Sequence, residues 1–187
     1  MTAGAVNHPR ERTGSGADPQ NAERALTELL YGSGAHANTL ACVEDLRLEP
    51  ASRQADNFPH SIWHLVSHMN FWMAYELKRI RNEKPIYPAH ASESWPTNAS
   101  PSSEEEWQGA IELFRHLLAE FAKLADSPPN FLAEQVGATH PDHTNRSSSL
   151  LAVLWQTLVH NSYHIGQVAM LRRTFGAWPP KRGGDTW

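Results

Sequence analysis

Two histidines, His160 and His164, stand four residues apart in the stretch LVHNSYHIGQVAMLRR. At about 100° per residue they lie roughly 40° apart on a helix, on one stripe with Val153, Thr157, Val168 and Leu171. Inward-facing imidazoles need partners for all their nitrogens. One divalent ion serves two rings at i and i+4 at once. Spacing alone leaves a plainer reading open. With 11 histidines in 187 residues, about 0.6 such pairs arise by chance, and core or surface histidines satisfied by ordinary hydrogen bonds fit the same pattern.

A metal also needs a ligand from another element. The stretch SIWHLVSHMNFW offers His64 and His68. His68 falls roughly 95° from the centre of that helix's apolar face and His64 roughly 135°. His68 is therefore the better third ligand, and His64 belongs at the helix margin. His60 precedes the helix. Three imidazoles with no fourth protein ligand leave coordination positions open, which is the catalytic type of site. The ion such a site takes is zinc, nickel, iron or manganese. Gln167, one turn beyond His164 on the inner side, is placed to hydrogen-bond near the metal. His36, ahead of the second piece of the first segment, is either a pocket residue or packing. His140 and His143, in THPDHTN, read as solvated loop histidines. Tyr163 points away from the ligand stripe, toward helix packing.

Other chemistries find less support. A zincin would carry H-E-x-x-H, but Asn161 follows His160. A ferritin-like di-iron bundle needs Glu-x-x-His pairs, and none occurs. Cys42 sits alone in an apolar setting and reads as inert core.

Four helical segments must position these side chains. The first is irregular: NAERALTELLYG ends at Gly32 and Gly34, and AHANTLACVEDL continues it. The second follows Pro59, with Ser61 as N-cap, and lines Ile62, Leu65, Met69, Trp72, Met73 and Ile80 on one face. The third opens with Ser102 and Ser103 ahead of Glu105 and Glu106, a capping box. Its core stripe is Ile111, Phe114, Leu117, Leu118 and Phe121. A long loop from Asn130 to Arg146 leads to the fourth helix, capped by Ser147 to Ser149 and running to about Phe175, with Gly176 beyond. No alternating strand pattern appears. The expectation is an all-α four-helix bundle over residues 20–187, behind a disordered polar tail over 1–19.

The charge balance, 16 Lys+Arg against 20 Asp+Glu, gives no basic stripe, so nucleic acid is not an expected partner. No stretch has the roughly 18 unbroken apolar residues a membrane span needs. The opening MTAGAVNHPRERTGSGADP lacks a signal-peptide core, and a single cysteine fits a reducing compartment. A cytoplasmic protein is expected.

PHSIWHLVSHMNFW and HNSYHIGQVAMLRRTFGAWPP resemble the two signature helices of the DinB/YfiT-like metalloprotein superfamily. The pattern small-I-x-x-L-x-x-H falls on His68, and H-x3-H-x-G-Q on His160 and His164. The resemblance runs from about Ala25 to the C-terminus. One departure is His64, where many members carry an acid. The resemblance implies an up-down-down-up four-helix bundle, one divalent metal ion on three histidines, and a homodimer. It also implies a metal-dependent enzyme of thiol S-transferase or hydrolase type acting on a small molecule, with a low-molecular-weight thiol as one candidate. The alternative is a non-catalytic metal- or ligand-binding stress-response protein.

Overall fold

The structure, a computed structural model, describes residues 19–139 and 147–182. The tail expected over 1–19 lies outside the described residues except for Pro19, as do His140 and His143. Helix α1 spans Pro19–Leu30 and buries Leu26 and Leu30. It ends at Gly32, whose φ of +84° suits glycine. A Cβ there would meet the Ala37 carbonyl and the His36 ring at 2.7 Å. The expected continuation contracts to α2, Ala41–Glu44, followed by α3, Leu48–Ser52.

Helix α4, Ile62–Ile80, starts at Ser61 as expected, and Ser61 Oγ accepts from the His64 backbone N–H. Its predicted face is largely core. Ile62, Leu65, Met69 and Met73 are wholly buried, while Trp72 and Ile80 are only partly so. A 3-10 turn over Ala91–Ser94 interrupts the connection to α5, Glu104–Ala125. Ser103 caps α5 by accepting from Glu106 N–H, and the Glu106 carboxylate accepts from the N–H and hydroxyl of Ser102. The box is thus shared between two serines. All five residues of the α5 stripe are buried.

The stretch read as loop after Asn130 is not all loop. It holds most of α6, Pro129–Leu132, and strand β1, Gln135–Val136. Strand β1 pairs antiparallel with β2, Ser148–Ser149, with Gln135 opposite Ser149 and Val136 opposite Ser148. Two-residue strands are too short to display a period of two, so the sequence pattern could not reveal them. Helix α7, Leu150–Thr174, follows at once, with Ser149 Oγ accepting from Ala152 N–H.

Helix α4 packs against α5 and α7, and α1 packs against the same two. The four long helices thus form a four-helix bundle in the ring order α1–α5–α4–α7, around a core that includes Met69, Trp107, Phe114, Phe121 and Ile165. Arg172 seals one end. It is buried in α7, donates to Asp45 Oδ1 at 2.7 Å and to the Cys42 carbonyl at 2.9 Å, and so ties α2 to the last helix. No helix of the described residues is long and apolar enough to cross a membrane.

Candidate metal centre

Bundle packing turns one face of α4 toward one face of α7, and His68 meets His160 and His164 across that seam. His160 Nε2 lies 3.2 Å from His68 Nε2 and 3.2 Å from His164 Nε2. One nitrogen from each ring falls within 4.8 Å of the others. Four nitrogens held tetrahedrally at 2.0–2.1 Å from zinc would be about 3.3 Å apart. The two 3.2 Å separations fit that edge.

Hydrogen-bond bookkeeping points the same way. His164 Nδ1 lies 2.7 Å from Gln167 Oε1, which only accepts, so Nδ1 carries the proton. His68 Nδ1 likewise donates to the Ser94 carbonyl at 3.3 Å. In the neutral rings both Nε2 atoms are then bare lone pairs aimed at the same point. His160 Nε2 has one proton at most and cannot satisfy both. A cation accepts all three lone pairs.

The electrostatics agree. Burial, reinforced by the neighbouring His164 and His160 and opposed by the Ser94 carbonyl, lowers the pKa of His68 to about 4. Burial and His164 bring His160 to about 4, with Asn161 opposing. Burial lowers His164 too, with Gln167 opposing. The rings are neutral at pH 7, as metal ligation requires.

Two expected residues stand elsewhere. His64 is committed to the start of α4: its Nδ1 accepts from the Ser61 N–H at 3.2 Å and meets Ser61 Oγ at 2.7 Å. It is a capping residue and not part of the cluster. His36 Nδ1 donates to the Ala37 carbonyl, and its Nε2 pairs with Ser162 Oγ at 3.0 Å, joining the turn after α1 to α7. Gln167 lies against His164, one turn further along α7. Tyr163, expected to pack, is 65% exposed. Cys42 is wholly buried, and burial pushes its thiol up to about 11, so it is no nucleophile.

The sequence reading missed the segment after the 3-10 turn. Trp95 stacks on His68 at 3.8 Å and 9° and, with its other face, on His60 at 3.8 Å and 4°. Together Ser94 and Trp95 fix both the tautomer and the ring plane of His68. A loop tryptophan carries no periodicity, and a carbonyl contact leaves no trace in residue type. Also missed was a cavity of about 510 Å³ beside His160, walled by α4, α7 and the segment around Thr139. Tyr75 OH and Thr139 Oγ1 bond to hold that segment against α4.

The sequence matches the model of the DinB family over residues 25–183. No curated protein matches. Among solved structures, the fold is similar to YfiT from Bacillus subtilis, described as "a probable metal-dependent hydrolase with an unusual four-helix bundle topology". The likeness has a TM-score of 0.55 at 16% identity and covers 91% of this chain and 94% of that one. At that identity it is a likeness of fold.

Proposed function

The chain belongs to the DinB family, and from that premise we propose a metal-dependent enzyme in which His68, His160 and His164 hold one divalent ion beside a substrate cavity. The observation that carries this reading is the convergence of three Nε2 atoms, two of them bare lone pairs by virtue of the Ser94 and Gln167 contacts. An ion there supplies a Lewis acid and activates a water or a thiol near neutral pH. The protein's own part is orientation. Gln167 and the Ser94 carbonyl hold two rings in one tautomer, Trp95 covers the His68 face, and the cavity beside His160 is of a size that takes a small molecule. The reaction is of hydrolase or thiol S-transferase type. A low-molecular-weight thiol suits a site of three neutral imidazoles, because the borderline ions they select also take thiolate.

The same reading includes a homodimer. Among the described residues, five of the seven large apolar side chains that remain exposed lie on α7: Leu151, Trp155, Val159, Tyr163 and Met170. They recur at helical spacing on its outer face, a pattern a second copy of the chain would cover.

The test is turnover. Metal-loaded protein is assayed against activated esters and amides, and against thiols paired with electrophilic acceptors. The reading predicts activity that a chelator and His160→Ala both abolish. Ligand binding without turnover across both panels would favour a non-catalytic binding protein instead.

A further inference from the structure

The cavity beside His160 is where unsatisfied polarity collects. Among the described residues, five buried side-chain nitrogen or oxygen atoms lack a hydrogen-bond partner. Three of them, Glu76 Oε2, Arg79 Nε and Asn161 Oδ1, belong to residues that line this one cavity. Glu76 is 6% exposed and Asn161 3%. Arg79 Nη1 donates to Glu76 Oε1 at 3.2 Å. It also approaches Oε2 at 3.1 Å, but without hydrogen-bonding geometry. Asn161 uses its amide nitrogen on Met73 Sδ at 3.2 Å, and its oxygen, which acts on the neighbouring His160 ring, has no partner at hydrogen-bonding geometry. A buried acceptor left open costs free energy that packing alone gives no reason to keep. Burial raises the Glu76 carboxyl above its usual range, with Arg79 opposing, as expected of a carboxylate short of donors.

We propose that this cavity recognises a substrate bearing a primary ammonium group, with Glu76 and Asn161 as the acceptors that read it. This rests on the cavity being the substrate site of the three-histidine centre. The assignment follows from counting. Two buried acceptors are unpaired against one buried donor. An ammonium brings three donors and no acceptor, so one such group has donors enough for both oxygens. A hydroxyl brings one donor, and a carboxylate would set further acceptors against Glu76 and Asn161. Arg79 has its charge engaged by Glu76, and its Nε is left for an acceptor adjoining the ammonium. The aromatic walls fit too, since Trp72 and Tyr87 line the cavity with ring centroids 5.7 Å apart, and ring faces attract cations.

Glu76 acts here as a specificity residue. It follows His68 by eight positions, about 12 Å along the axis of α4. Both side chains lean toward the helix N-terminus, so the gap does not close to hydrogen-bonding reach. The substrate would lie along α4, its ammonium at Glu76 and its reacting end near His160.

The experiment uses the zinc-loaded full chain at pH 7 and three probes of one shape: 2-phenylethylammonium, 2-phenylethanol and 3-phenylpropanoate. Binding is titrated by ligand-detected NMR. The ammonium probe is expected to bind at least tenfold tighter than the other two. Glu76→Gln, which keeps the side-chain volume, is expected to remove that preference while leaving the zinc content unchanged. Equal binding of the three probes by the wild-type chain would overturn the proposal, and that comparison does not depend on any variant folding. An ammonium preference that survives Glu76→Gln would overturn it as well. Zinc content, read on the same samples, separates this outcome from a failure of the histidine centre, which would show there and not in the probe ratio.

Discussion

Gln167 and His64 divide the histidine neighbourhood into residues that serve the cluster and residues that serve the helix. Gln167 accepts the Nδ1 proton of His164. Gln167→Leu frees that ring to change tautomer, and metal affinity is expected to fall about 10- to 100-fold, measured by competition with a chromophoric chelator. His64 closes the Ser61 cap. His64→Ala is expected to lower stability by about 1 kcal/mol in urea unfolding and to leave the metal content untouched. Loss of metal in that variant would bring His64 into the ligand set. The residue scale was the more legible one. Helix-wheel geometry placed His160 and His164 on an inner stripe and ranked His68 over His64, and in the bundle the rings of His68, His160 and His164 lie together. The same geometry could not see Glu76, because a glutamate on a helix otherwise reads as solvent-facing. Its burial arises only once α7 and the Thr139 segment close over it.

At the scale of elements, α7 is apolar on two sides. Val153, Leu154, Ile165 and Val168 enter the core, while Val159, Tyr163 and Met170 stay 61%, 65% and 63% exposed. A helix with apolar residues on opposite faces has little net amphipathicity, so its orientation was legible only from the histidines and the Ser149 cap. The connections were less legible still. Helices α2 and α3 and the β1–β2 pair are each five residues or fewer, too short for a pattern, and tertiary contacts decide them. Arg172 shows how. It reaches from α7 to Asp45 and to the carbonyls of α2. Burial tends to raise the Asp45 carboxyl, but the hydrogen bond from Arg172, the Lys181 N–H and the Arg172 charge outweigh it and hold its pKa below the usual value. With the folded pKa below an unfolded value of about 3.9, the pair's contribution is complete above that range. It is lost as pH falls through the folded pKa. Asp45→Asn is expected to destabilise by about 3 kcal/mol at pH 7, because Arg172 stays buried. The variant should also show a shallower fall in Tm between pH 5 and 3 than the wild type, followed by circular dichroism.

For the whole molecule, the proposed homodimer would use the outer face of α7 while the inner face of the same helix carries the histidine pair. If two copies meet through Trp155, Val159 and Tyr163, then Val159→Glu places a charge at the centre of the contact. That variant is expected to sediment as a monomer in analytical ultracentrifugation where the wild type sediments as a dimer, with its metal content preserved. A monomeric wild type would remove the homodimer from the account and leave the histidine centre standing. The most direct test of that centre is the metal content of the purified chain, by elemental analysis, for wild type and for His68→Ala, His160→Ala and His164→Ala separately. The account predicts about one divalent ion per chain in the wild type and a large loss in each variant while all three remain folded. Folded variants that keep the wild-type stoichiometry would contradict it.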